Sequence, residues 1–398
     1  MDTKNKNNIK NNIKNNIKNN IKNNNDINVE KITELITPND LISKLPITEE
    51  IKHTVRHNRI EIKRVLNKTS DKKLLIVGPC SIHNVAEAKE YANMLSELQK
   101  KVNDKLLIVM RVYFEKPRTT VGWKGLINDP LLNNTFEVNN GLYIARDLLI
   151  YISNLGLAVG CEILDTITPQ YISDLVSWGA IGARTTESQI HRQLVSGLSM
   201  PVGFKNSTTG DYKVAIESII SAKHPHCFFG ITRDGEAAVI NTKGNKTGHI
   251  ILRGSCKSGP NYTKETILEI EEVYNKVIND INGGKIKTKL ESLYDSNDPE
   301  NLQENNIYDY LNIIIDCSHG NSGKDYRNQN KVWNYCIDNY IKKIDTRVVG
   351  YMLESNINEG KQTLNDPDDL KHGISITDSC MGFKETEELI LSMYSSLV

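Results

Sequence analysis

The chain has 398 residues, and its 49 lysines and arginines balance 49 aspartates and glutamates. With no net charge, the chain carries no overall field that favours nucleic acid or an anionic membrane surface, so any anion site must be local. No apolar run in the sequence is long enough to span a bilayer, and seven scattered cysteines without a CxxC pair or a secretory signal favour free thiols in the cytoplasm.

The first 25 residues form a separate, low-complexity segment built on repeats of Ile-Lys-Asn-Asn. Paired asparagines lower helix propensity, and a segment with few apolar side chains cannot bury enough surface to fold, so the composition predicts disorder. A mitochondrial presequence is the alternative, because the tail is basic and would be amphipathic as a helix. Its lack of arginine and of a serine-rich stretch argues against that alternative.

Residues 26–70 are predicted to form a folded N-terminal extension. Ile32, Leu35 and Ile36 have helical spacing, and a Thr-Pro-Asn-Asp turn follows them. A longer helix is predicted over residues 48–66, where apolar residues recur at helical intervals with basic residues between them.

From residue 71 to residue 398, short apolar runs alternate with helical stretches. Such alternation is typical of a parallel sheet built from βα units, and eight runs is the number in a (β/α)8 TIM barrel. The predicted strands are residues 74–79, 106–112, 157–162, 180–183, 201–204, 249–252, 311–316 and 348–353. The helices predicted between them include residues 86–101, 142–155, 170–178, 214–222 and 263–281.

Two segments depart from a plain barrel. Residues 227–232 and 237–242 have the pattern of two strands joined by a turn, which predicts a β-hairpin inserted before the sixth strand. Residues 284–310 are polar and lack apolar periodicity, so we expect a surface excursion there. The predicted fold is therefore an α/β TIM barrel with an N-terminal helical extension and an inserted β-hairpin.

Reactive or charged side chains stand at or just beyond the end of every predicted strand. In chain order they are Cys80, Arg111, Glu162, Arg184, Lys205, Arg253, His319 and Glu354. The carboxyl ends of all barrel strands surround one mouth, where such barrels place their active sites. A chance run of polar strand ends is the alternative, but a full circuit without a miss favours a single site.

Four of the candidate side chains form a mixed donor set, namely Cys80, His319, Glu354 and Asp378. Soft, borderline and hard donors together suit a divalent transition metal better than Mg²⁺ or Ca²⁺, and such an ion with an open position acts as a Lewis acid on a carbonyl. Each residue also has a simpler explanation, because a lone cysteine is most often a small core residue and a lone histidine is often structural.

Six cations are expected at the same mouth, namely Arg111, Lys116, Arg118, Arg184, Lys205 and Arg253. Buried unpaired cations are unfavourable, so two anionic substrates, or one with several anionic groups, fit this set better than one monophosphate. Thr119 beside Arg118 adds a hydroxyl that suits a phosphate, although an exposed basic loop is the simpler explanation of that segment. Glu162 can order a water or moderate the cations.

Seven short motifs, in the same order, resemble those of class I 3-deoxy-D-arabino-heptulosonate 7-phosphate (DAHP) synthases of the feedback-regulated microbial type. They are GPCSIH at 78–83, FEKPRTT at 114–120, GARTTES at 182–188, GFKN at 203–206, HIILRG at 249–254, SHGN at 318–321 and SITD at 375–378. The resemblance extends from residue 26 to the C-terminus and excludes the asparagine-rich tail. The segment at 284–310 is longer than the corresponding loop of that family.

The resemblance implies condensation of phosphoenolpyruvate with D-erythrose 4-phosphate to DAHP and phosphate, the first step of the shikimate pathway of aromatic amino-acid synthesis. It implies one divalent ion of the Mn, Fe, Co, Zn or Cu class that polarises the aldehyde. The implied metal ligands are Cys80, His319, Glu354 and Asp378, the last also in reach of substrate.

The resemblance also assigns substrate contacts. Arg184 and Arg253 hold the phosphoenolpyruvate phosphate, Arg111 and Lys205 its carboxylate, and Arg118 and Thr119 the erythrose 4-phosphate phosphate. Lys116 is placed to protonate the new alkoxide, with a metal-bound water as the alternative donor.

The sequence disfavours three other functions. The related octulosonate 8-phosphate synthase, which uses arabinose 5-phosphate, is disfavoured by the Lys-Pro-Arg-Thr-Thr loop and by the N-terminal extension. A non-catalytic regulatory barrel is disfavoured because no expected ligand position is missing. A nucleotide-binding loop at 254–259 is disfavoured because Pro260 stands where a P-loop requires lysine.

Regulated members of that family bind an aromatic amino acid away from the barrel mouth, at a site formed by the N-terminal extension, the inserted hairpin and the region that corresponds to Leu198 and Ser199. The candidate positions here are Asp26, Pro169, Gln170, Leu198, Ser199, Phe228 and Gly230. Gly230 stands where tyrosine-sensitive relatives tend to carry glycine and phenylalanine-sensitive ones serine, so tyrosine is favoured as the inhibitor. A homodimer or homotetramer is expected, with the extension serving regulation or oligomerisation.

Overall fold

The computed structural model describes residues 27–118, 120–283 and 311–397. Four predictions concern residues outside these ranges: the tail at 1–25, Asp26, Thr119 and the excursion at 284–310.

The chain divides into two units, one ending at Ile36 and a compact one that begins at Thr37. In the first unit, the described residues 27–36 contain no helix, and Ile32 is 58% exposed. The helix suggested by the spacing at 32–36 is therefore not formed, because a short apolar run does not by itself specify a helix.

Eight parallel strands close into a barrel, as the sequence predicts. The strands of the described chain are β1 (Lys73–Gly78), β2 (Leu106–Arg111), β3 (Ala158–Glu162), β4 (Trp178–Ile181), β5 (Val202–Lys205), β6 (Cys227–Ile231), β7 (Ala237–Asn241), β8 (His249–Leu252), β9 (Ile313–Asp316), β10 (Val348–Asn356) and β11 (Met381–Gly382). The barrel order is β1-β2-β3-β4-β5-β8-β9-β10, and β10 pairs with β1 to close it, with Gly350 opposite Leu74. The antiparallel pair β6-β7 is the predicted hairpin.

Helices connect most of the barrel strands. The α-helices of the described chain are α1 (Pro38–Lys44), α2 (Glu49–Leu66), α3 (Val85–Val102), α4 (Val138–Asn154), α5 (Pro169–Ile172), α6 (Gln189–Val195), α7 (Lys213–Lys223), α8 (Lys264–Gly283), α9 (Gln329–Cys336) and α10 (Phe383–Ser396). Within the described residues, no helix combines the length and apolarity needed to cross a membrane.

Helix α2 closes the N-terminal end of the barrel. The Thr48 hydroxyl caps the helix by accepting a hydrogen bond from a backbone N–H of the first turn at 3.3 Å. In its last turns, Ile62 and Leu66 join a buried cluster with Trp178 inside the barrel. The side-chain Nδ2 of Asn312, just before β9, donates to the carbonyl of Leu66 at 3.1 Å. The helix therefore plugs the end of the barrel opposite the mouth.

Most boundaries differ from prediction by a few residues, and the helix predicted before β4 differs most. The helix predicted over 170–178 is only α5 followed by a short 3-10 turn at Ser173–Leu175, and β4 begins at Trp178 instead of residue 180. Trp178 belongs to the strand because it is fully buried and its indole N–H donates to His249 Nε2 at 3.0 Å across the barrel. A tertiary contact therefore overrides the local pattern.

Candidate active site at the barrel mouth

The carboxyl ends of the barrel strands surround a cleft of about 330 Å³. Ten of the predicted site residues line it: Arg111, Lys116, Arg118, Glu162, Arg184, Lys205, Arg253, His319, Glu354 and Asp378. Cys80 is fully buried beneath it and contacts two of the lining side chains. Residues up to 298 positions apart in the chain thus meet at one place.

The basic loop after β2 has a defined geometry. Glu115 pairs with Gly125 in an antiparallel bridge, and the Lys116 amide donates to the Lys124 carbonyl at 2.9 Å. Gly125 has a φ of +116°, and a Cβ there would lie 2.0 Å from the carbonyl oxygen of Phe114, so only glycine closes the loop. Arg118 donates from Nε to the Trp123 carbonyl at 2.8 Å, which orients its guanidinium.

Lys116 directs its ammonium group into the cleft floor. Its Nζ lies 3.1 Å from the carbonyl oxygen of Cys80 and 3.2 Å from the Cys80 sulfur. Burial alone would lower the pKa of Lys116, but the nearby Cys80 and the carboxylates of Glu162, Glu354 and Asp378 outweigh it and raise the pKa. Lys116 is therefore a cation at neutral pH.

Three of the four predicted metal ligands come together. One ligand atom from each of Cys80, Glu354 and Asp378 lies within 4.8 Å of the other two, and the Cys80 sulfur is 3.8 Å from Asp378 Oδ2. The fourth, His319, is adjacent, with its Nε2 3.5 Å from Glu354 Oε1. This spacing fits donors that surround a single ion, because metal bonds to sulfur and oxygen of 2.0–2.3 Å leave neighbouring ligand atoms a few ångströms apart.

The protonation of these ligands is unequal. Burial and the neighbouring Glu354 raise the pKa of the Cys80 thiol to about 11, so a metal ion would displace its proton on binding. Burial would also raise the pKa of Glu354, but His319, Arg111 and Lys116 outweigh burial and hold the Glu354 pKa at about 2. Glu354 is therefore a permanent anion in the cluster.

Arg111 lies on the barrel floor beside this cluster, with no exposed surface. Its Nη2 donates to Glu354 Oε1 at 2.8 Å, and its guanidinium carbon lies 4.2 Å from the centre of the Tyr113 ring. The contact with Tyr113 is in the range of a cation–π interaction. The side chain is thus fixed from two sides.

A second buried ion pair was not predicted. Asp316, the last residue of β9, lies 3.2 Å from Lys205 Nζ and 2.9 Å from His319 Nδ1. Burial opposes ionisation of Asp316, but His319 and Lys205 outweigh it and hold its pKa well below the ordinary range. Asp316 therefore orients both a predicted substrate cation and a predicted metal ligand. From the sequence alone, Asp316 is only the last residue of a predicted strand.

Arg184 and Arg253 occupy the rim. Arg253 follows β8 directly, and its backbone N–H donates to the Asn206 side chain at 2.8 Å. Arg184 is exposed and comes three residues after β4 ends at Ile181, not at the strand end as predicted. Gly182 lies between Ile181 and Arg184 in sequence. A Cβ at Gly182 would lie 2.1 Å from Glu162 Oε1, so only glycine leaves room there for the Glu162 carboxylate.

Two lysines of the cleft lining, Lys324 and Lys361, were also missed. Lys324 follows the Ser-His-Gly-Asn motif by three residues, and its amide donates to the His319 carbonyl at 2.7 Å. Its position close behind that motif in the sequence could have identified Lys324 as a candidate site residue. Lys361 lies in the long segment after β10, well before the Ser-Ile-Thr-Asp motif of that segment, and no sequence pattern around Lys361 itself pointed to the mouth.

The predicted allosteric positions lie elsewhere in the compact unit, except Asp26, which is not described. Pro169 and Gln170 begin α5, Phe228 and Gly230 lie on β6, and Leu198 and Ser199 precede β5. Helix α1 packs on α5. Asn39 of α1 also binds the hairpin turn. Its backbone N–H donates to the Arg233 carbonyl at 2.8 Å, and its side-chain Nδ2 donates to Asp234 Oδ1 at 2.6 Å. The Leu198 carbonyl accepts a bond from Asn245 at 3.1 Å.

Comparison with known proteins yields one consistent family. The model of the DAHP synthetase I family matches residues 47–282 and 281–391. The chain is 45% identical over 374 residues to the Phe-sensitive phospho-2-dehydro-3-deoxyheptonate aldolase of Escherichia coli K12, covering 94% of this chain and 97% of that protein. It is 42% identical over 360 residues to the tyrosine-inhibited phospho-2-dehydro-3-deoxyheptonate aldolase of Schizosaccharomyces pombe, covering 89% of this chain and 88% of that protein.

A solved structure gives the same result. The phospho-2-dehydro-3-deoxyheptonate aldolase from Francisella tularensis SCHU S4 matches with a TM-score of 0.83 at 42% sequence identity. The match covers 93% of this chain and 98% of that one. Both the fold and the sequence therefore agree over almost the whole length.

Proposed function

This chain belongs to the DAHP synthetase I family, and we propose that the cleft at its barrel mouth carries the family's reaction through the side chains that line it. The enzyme condenses phosphoenolpyruvate with D-erythrose 4-phosphate to give DAHP and phosphate. The observation that carries the residue assignment is the convergence of separate strand ends on one cationic cleft with a mixed donor cluster at its floor.

We assign the phosphoenolpyruvate carboxylate to Arg111 and Lys205. Each cation already has a buried acidic partner, Glu354 at 2.8 Å for Arg111 and Asp316 at 3.2 Å for Lys205. Because these pairs fix the cations before the substrate arrives, little reorganisation is needed to bind an anion in one orientation.

The two phosphates are assigned to the rim. Arg184 and Arg253 hold the phosphoenolpyruvate phosphate, and Arg118 with Thr119 holds that of erythrose 4-phosphate. The planar guanidinium fork suits a phosphate group, and Arg118 is oriented by the Trp123 carbonyl. The separate positions of Arg118 and Arg253 on different loops support separate phosphate sites.

The candidate metal ligands are Cys80, His319, Glu354 and Asp378. A bound Mn, Fe, Co, Zn or Cu ion supplies Lewis acidity that polarises the aldehyde. The fit rests on the three ligand atoms that already lie within 4.8 Å of one another and on the neighbouring His319.

Lys116 is assigned the proton transfer. C3 of phosphoenolpyruvate attacks the aldehyde carbon, and the aldehyde oxygen becomes an alkoxide that takes a proton. The raised pKa of Lys116 keeps it protonated at neutral pH, so it carries a proton that the alkoxide can take. Water then adds at C2, and the hemiketal phosphate loses phosphate by C–O cleavage.

The octulosonate reaction is the second candidate from the sequence. The relatives described above are named for the heptonate product, and this supports erythrose 4-phosphate over arabinose 5-phosphate as the aldose. Phosphate release with each aldose in turn decides between them. Efficient turnover with arabinose 5-phosphate alone would overturn the assignment.

The enzyme assay follows phosphate release from phosphoenolpyruvate plus erythrose 4-phosphate, before chelation, after chelation and after addition of Mn²⁺, Co²⁺ or Zn²⁺. We expect chelation to abolish release and at least one ion to restore it. Release that persists unchanged in thoroughly chelated enzyme would contradict the metal assignment, and no release with any ion would contradict the reaction.

An aromatic amino acid is proposed as a feedback inhibitor that binds away from the mouth. Support comes from the relatives, which are named for sensitivity to phenylalanine or to tyrosine, and from the bonds between α1 and the hairpin turn. Tyrosine stays the favoured ligand, but a Cβ at Gly230 would lie 2.8 Å from Ile240 Cγ1. A tyrosine hydroxyl can use that space only if Ile240 moves.

The inhibitor is identified by titrating phenylalanine, tyrosine and tryptophan against activity in the wild type and in Gly230→Ser, with thermal melting to verify folding. Inhibition of the wild type by tyrosine supports the Gly230 argument. Inhibition by phenylalanine alone refutes that argument, and no inhibition by any of the three refutes feedback control.

A cytoplasmic homodimer or homotetramer is also proposed. All seven cysteines are unpaired, which suits a reducing compartment. Phe229 and Val239 face each other across the hairpin and are 91% and 59% exposed, so their apolar surface is available to another subunit. Light scattering gives the oligomer size, and a monomer at micromolar concentration would contradict the proposal.

A further inference from the structure

A cluster of two histidines and two glutamates lies beside the mouth, outside the cleft lining. Glu87 and Glu90 stand three residues apart in the first turns of α3, so both face the same side of the helix. His83 precedes the helix, and His372 belongs to the segment between β10 and β11, residues 357–380, which we call the Asp378 loop.

The contacts link that loop to α3. His372 Nε2 lies 3.0 Å from Glu90 Oε2, and His372 Nδ1 lies 3.7 Å from Glu87 Oε1. Glu87 is buried, with 7% of its side chain exposed, and also accepts a bond from the backbone N–H of Gly373. His83 Nε2 approaches Glu87 Oε2 to 3.5 Å and has no hydrogen-bond partner. Glu87 is therefore contacted by His83 on one side and by His372 and Gly373 of the Asp378 loop on the other.

Burial of Glu87 opposes its ionisation and raises its pKa, while the Gly373 amide and His372 work in the opposite direction. The Asp378 loop supplies two of the groups that offset this burial, His372 and Gly373, and Asn84, which caps α3, donates to Glu87 Oε1 at 3.4 Å. Glu87 therefore depends in part on that loop staying in place. Removing His372 or Gly373 from Glu87 would leave a buried acid with fewer partners. The contact is therefore more than an exposed surface pair, which contributes little.

The Asp378 loop transmits this anchor to the metal cluster. Hydrogen bonds within the loop join its first and last parts. The backbone N–H of Asn358 donates to the Gly373 carbonyl at 3.0 Å, and the side-chain Nε2 of Gln362 donates to the Ile374 carbonyl at 2.9 Å. Further along, Thr377 Oγ1 lies 2.8 Å from Ser81 Oγ, next to Cys80. Asp378 follows directly and comes within 3.8 Å of the Cys80 sulfur.

We propose that Glu87 and His372 are positioning residues that clamp the Asp378 loop onto α3 and thereby hold Asp378 beside Cys80. Helix α3 follows Cys80 in the chain, so the clamp ties the carriers of two metal ligands to each other. The inference rests on the proposed metal site. A second ion at the clamp itself is not proposed, because in the described chain the cluster's ligand atoms do not gather as those of Cys80, Glu354 and Asp378 do.

The test uses the metal-free full-length protein and Co²⁺ as the probe. A Co²⁺–thiolate bond gives a charge-transfer absorption band, which reports Cys80 ligation without any turnover. We expect His372→Ala and Glu87→Gln to weaken Co²⁺ binding by about tenfold, the lower range for loss of a group that supports a ligand. His372→Gln, which keeps a hydrogen-bond donor, should recover part of the loss.

A matched control breaks a different charged contact of the same helix. Lys101 near the other end of α3 pairs with Glu387 of α10 at 2.8 Å. Glu387→Gln should leave Co²⁺ affinity unchanged. The side chain of Glu87 is buried, so Glu87→Gln could lose Co²⁺ binding simply by misfolding. His372 is 57% exposed, and His372→Ala is therefore expected to fold normally and to test the clamp independently.

The outcomes are separable. If the wild type binds Co²⁺ without a thiolate band, the metal site itself is wrong. If the wild type shows the band but both clamp variants bind Co²⁺ as tightly as Glu387→Gln, the clamp is refuted. Hydrogen exchange of the metal-free proteins adds a second readout: residues 357–380 should exchange faster in His372→Ala than in the wild type, and equal exchange would also refute the clamp.

Discussion

The two ends of the barrel use the same eight strands for opposite chemistry. At the N-terminal end, α2 packs Ile62 and Leu66 into an apolar cluster with Trp178. At the mouth, buried Arg111 and Lys205 pair with Glu354 and Asp316. The apolar end gains stability from burial, whereas the charged end holds ions in fixed positions. Stability and catalysis should therefore respond to different substitutions.

The largest expected effect is at the mouth. Cys80→Ala removes one of the proposed metal ligands and should lower kcat by at least about a hundredfold, with metal content falling in parallel and the melting temperature nearly unchanged. Cys336→Ala is the matched control, because Cys336 is equally buried but lies on α9 away from the cleft. Near wild-type turnover and metal loading in Cys80→Ala would remove Cys80 from the ligand set.

The next effect is at the opposite end. Ile62→Ala leaves a cavity between α2 and the barrel and should lower the free energy of unfolding by about 2–5 kcal/mol, while Ile62→Val should lower it by about 0.5–1.5 kcal/mol. Denaturant unfolding gives these values, and kcat of the folded enzyme should not change. A large loss of kcat at a temperature where Ile62→Ala is fully folded would show that the two ends are coupled.

A smaller effect tests whether the mouth holds two separate phosphate sites. Arg118→Ala should raise KM for erythrose 4-phosphate by roughly ten- to a hundredfold, and Arg253→Ala should do the same for phosphoenolpyruvate, since each removes a charge-assisted bond of about 1.5–3 kcal/mol. Steady-state kinetics with each substrate varied in turn measures both constants. Equal effects on the two substrates would contradict separate sites.

A further prediction concerns Glu115, which is buried beside the basic loop. Burial and the nearby Asp165 raise its pKa to about 8, above the ordinary 4.5. Because the folded state then binds the proton more tightly than the unfolded state, this group's contribution to stability is complete below pH 4.5 and declines as pH rises towards 8.

Glu115→Gln mimics the protonated form and should remove that decline. The difference in melting temperature between the variant and the wild type, measured from pH 5 to pH 9, should therefore grow in favour of the variant as pH rises. A difference that is constant across this range would show that Glu115 does not titrate there.

Much of the mouth followed from sequence because parallel strands end on one side of a barrel, so one charged residue per strand end was enough to predict convergence. Arg111, Lys205 and Arg253 needed no knowledge of loop structure. Lys361 did, because the path of a long loop depends on tertiary contacts such as those of His372.

The opposite end was predicted less well. The helical period identified α2, but nothing local to that helix showed that it would plug the barrel, because that contact joins residues far apart in the chain. Trp178 was assigned to a helix for the same reason, since its partner His249 lies in another strand. Asp316 was overlooked because its function depends on Lys205 and His319, which only the fold brings to it.

The central claim is that one cluster at the mouth holds both the metal ion and the substrate anions. A crystal structure with Mn²⁺ and phosphoenolpyruvate, located by the anomalous signal of manganese, tests it most directly. We predict Mn²⁺ bonded to Cys80, His319, Glu354 and Asp378, with the phosphoenolpyruvate phosphate on Arg184 and Arg253. Manganese bound elsewhere, or phosphoenolpyruvate outside this cleft, would contradict the account.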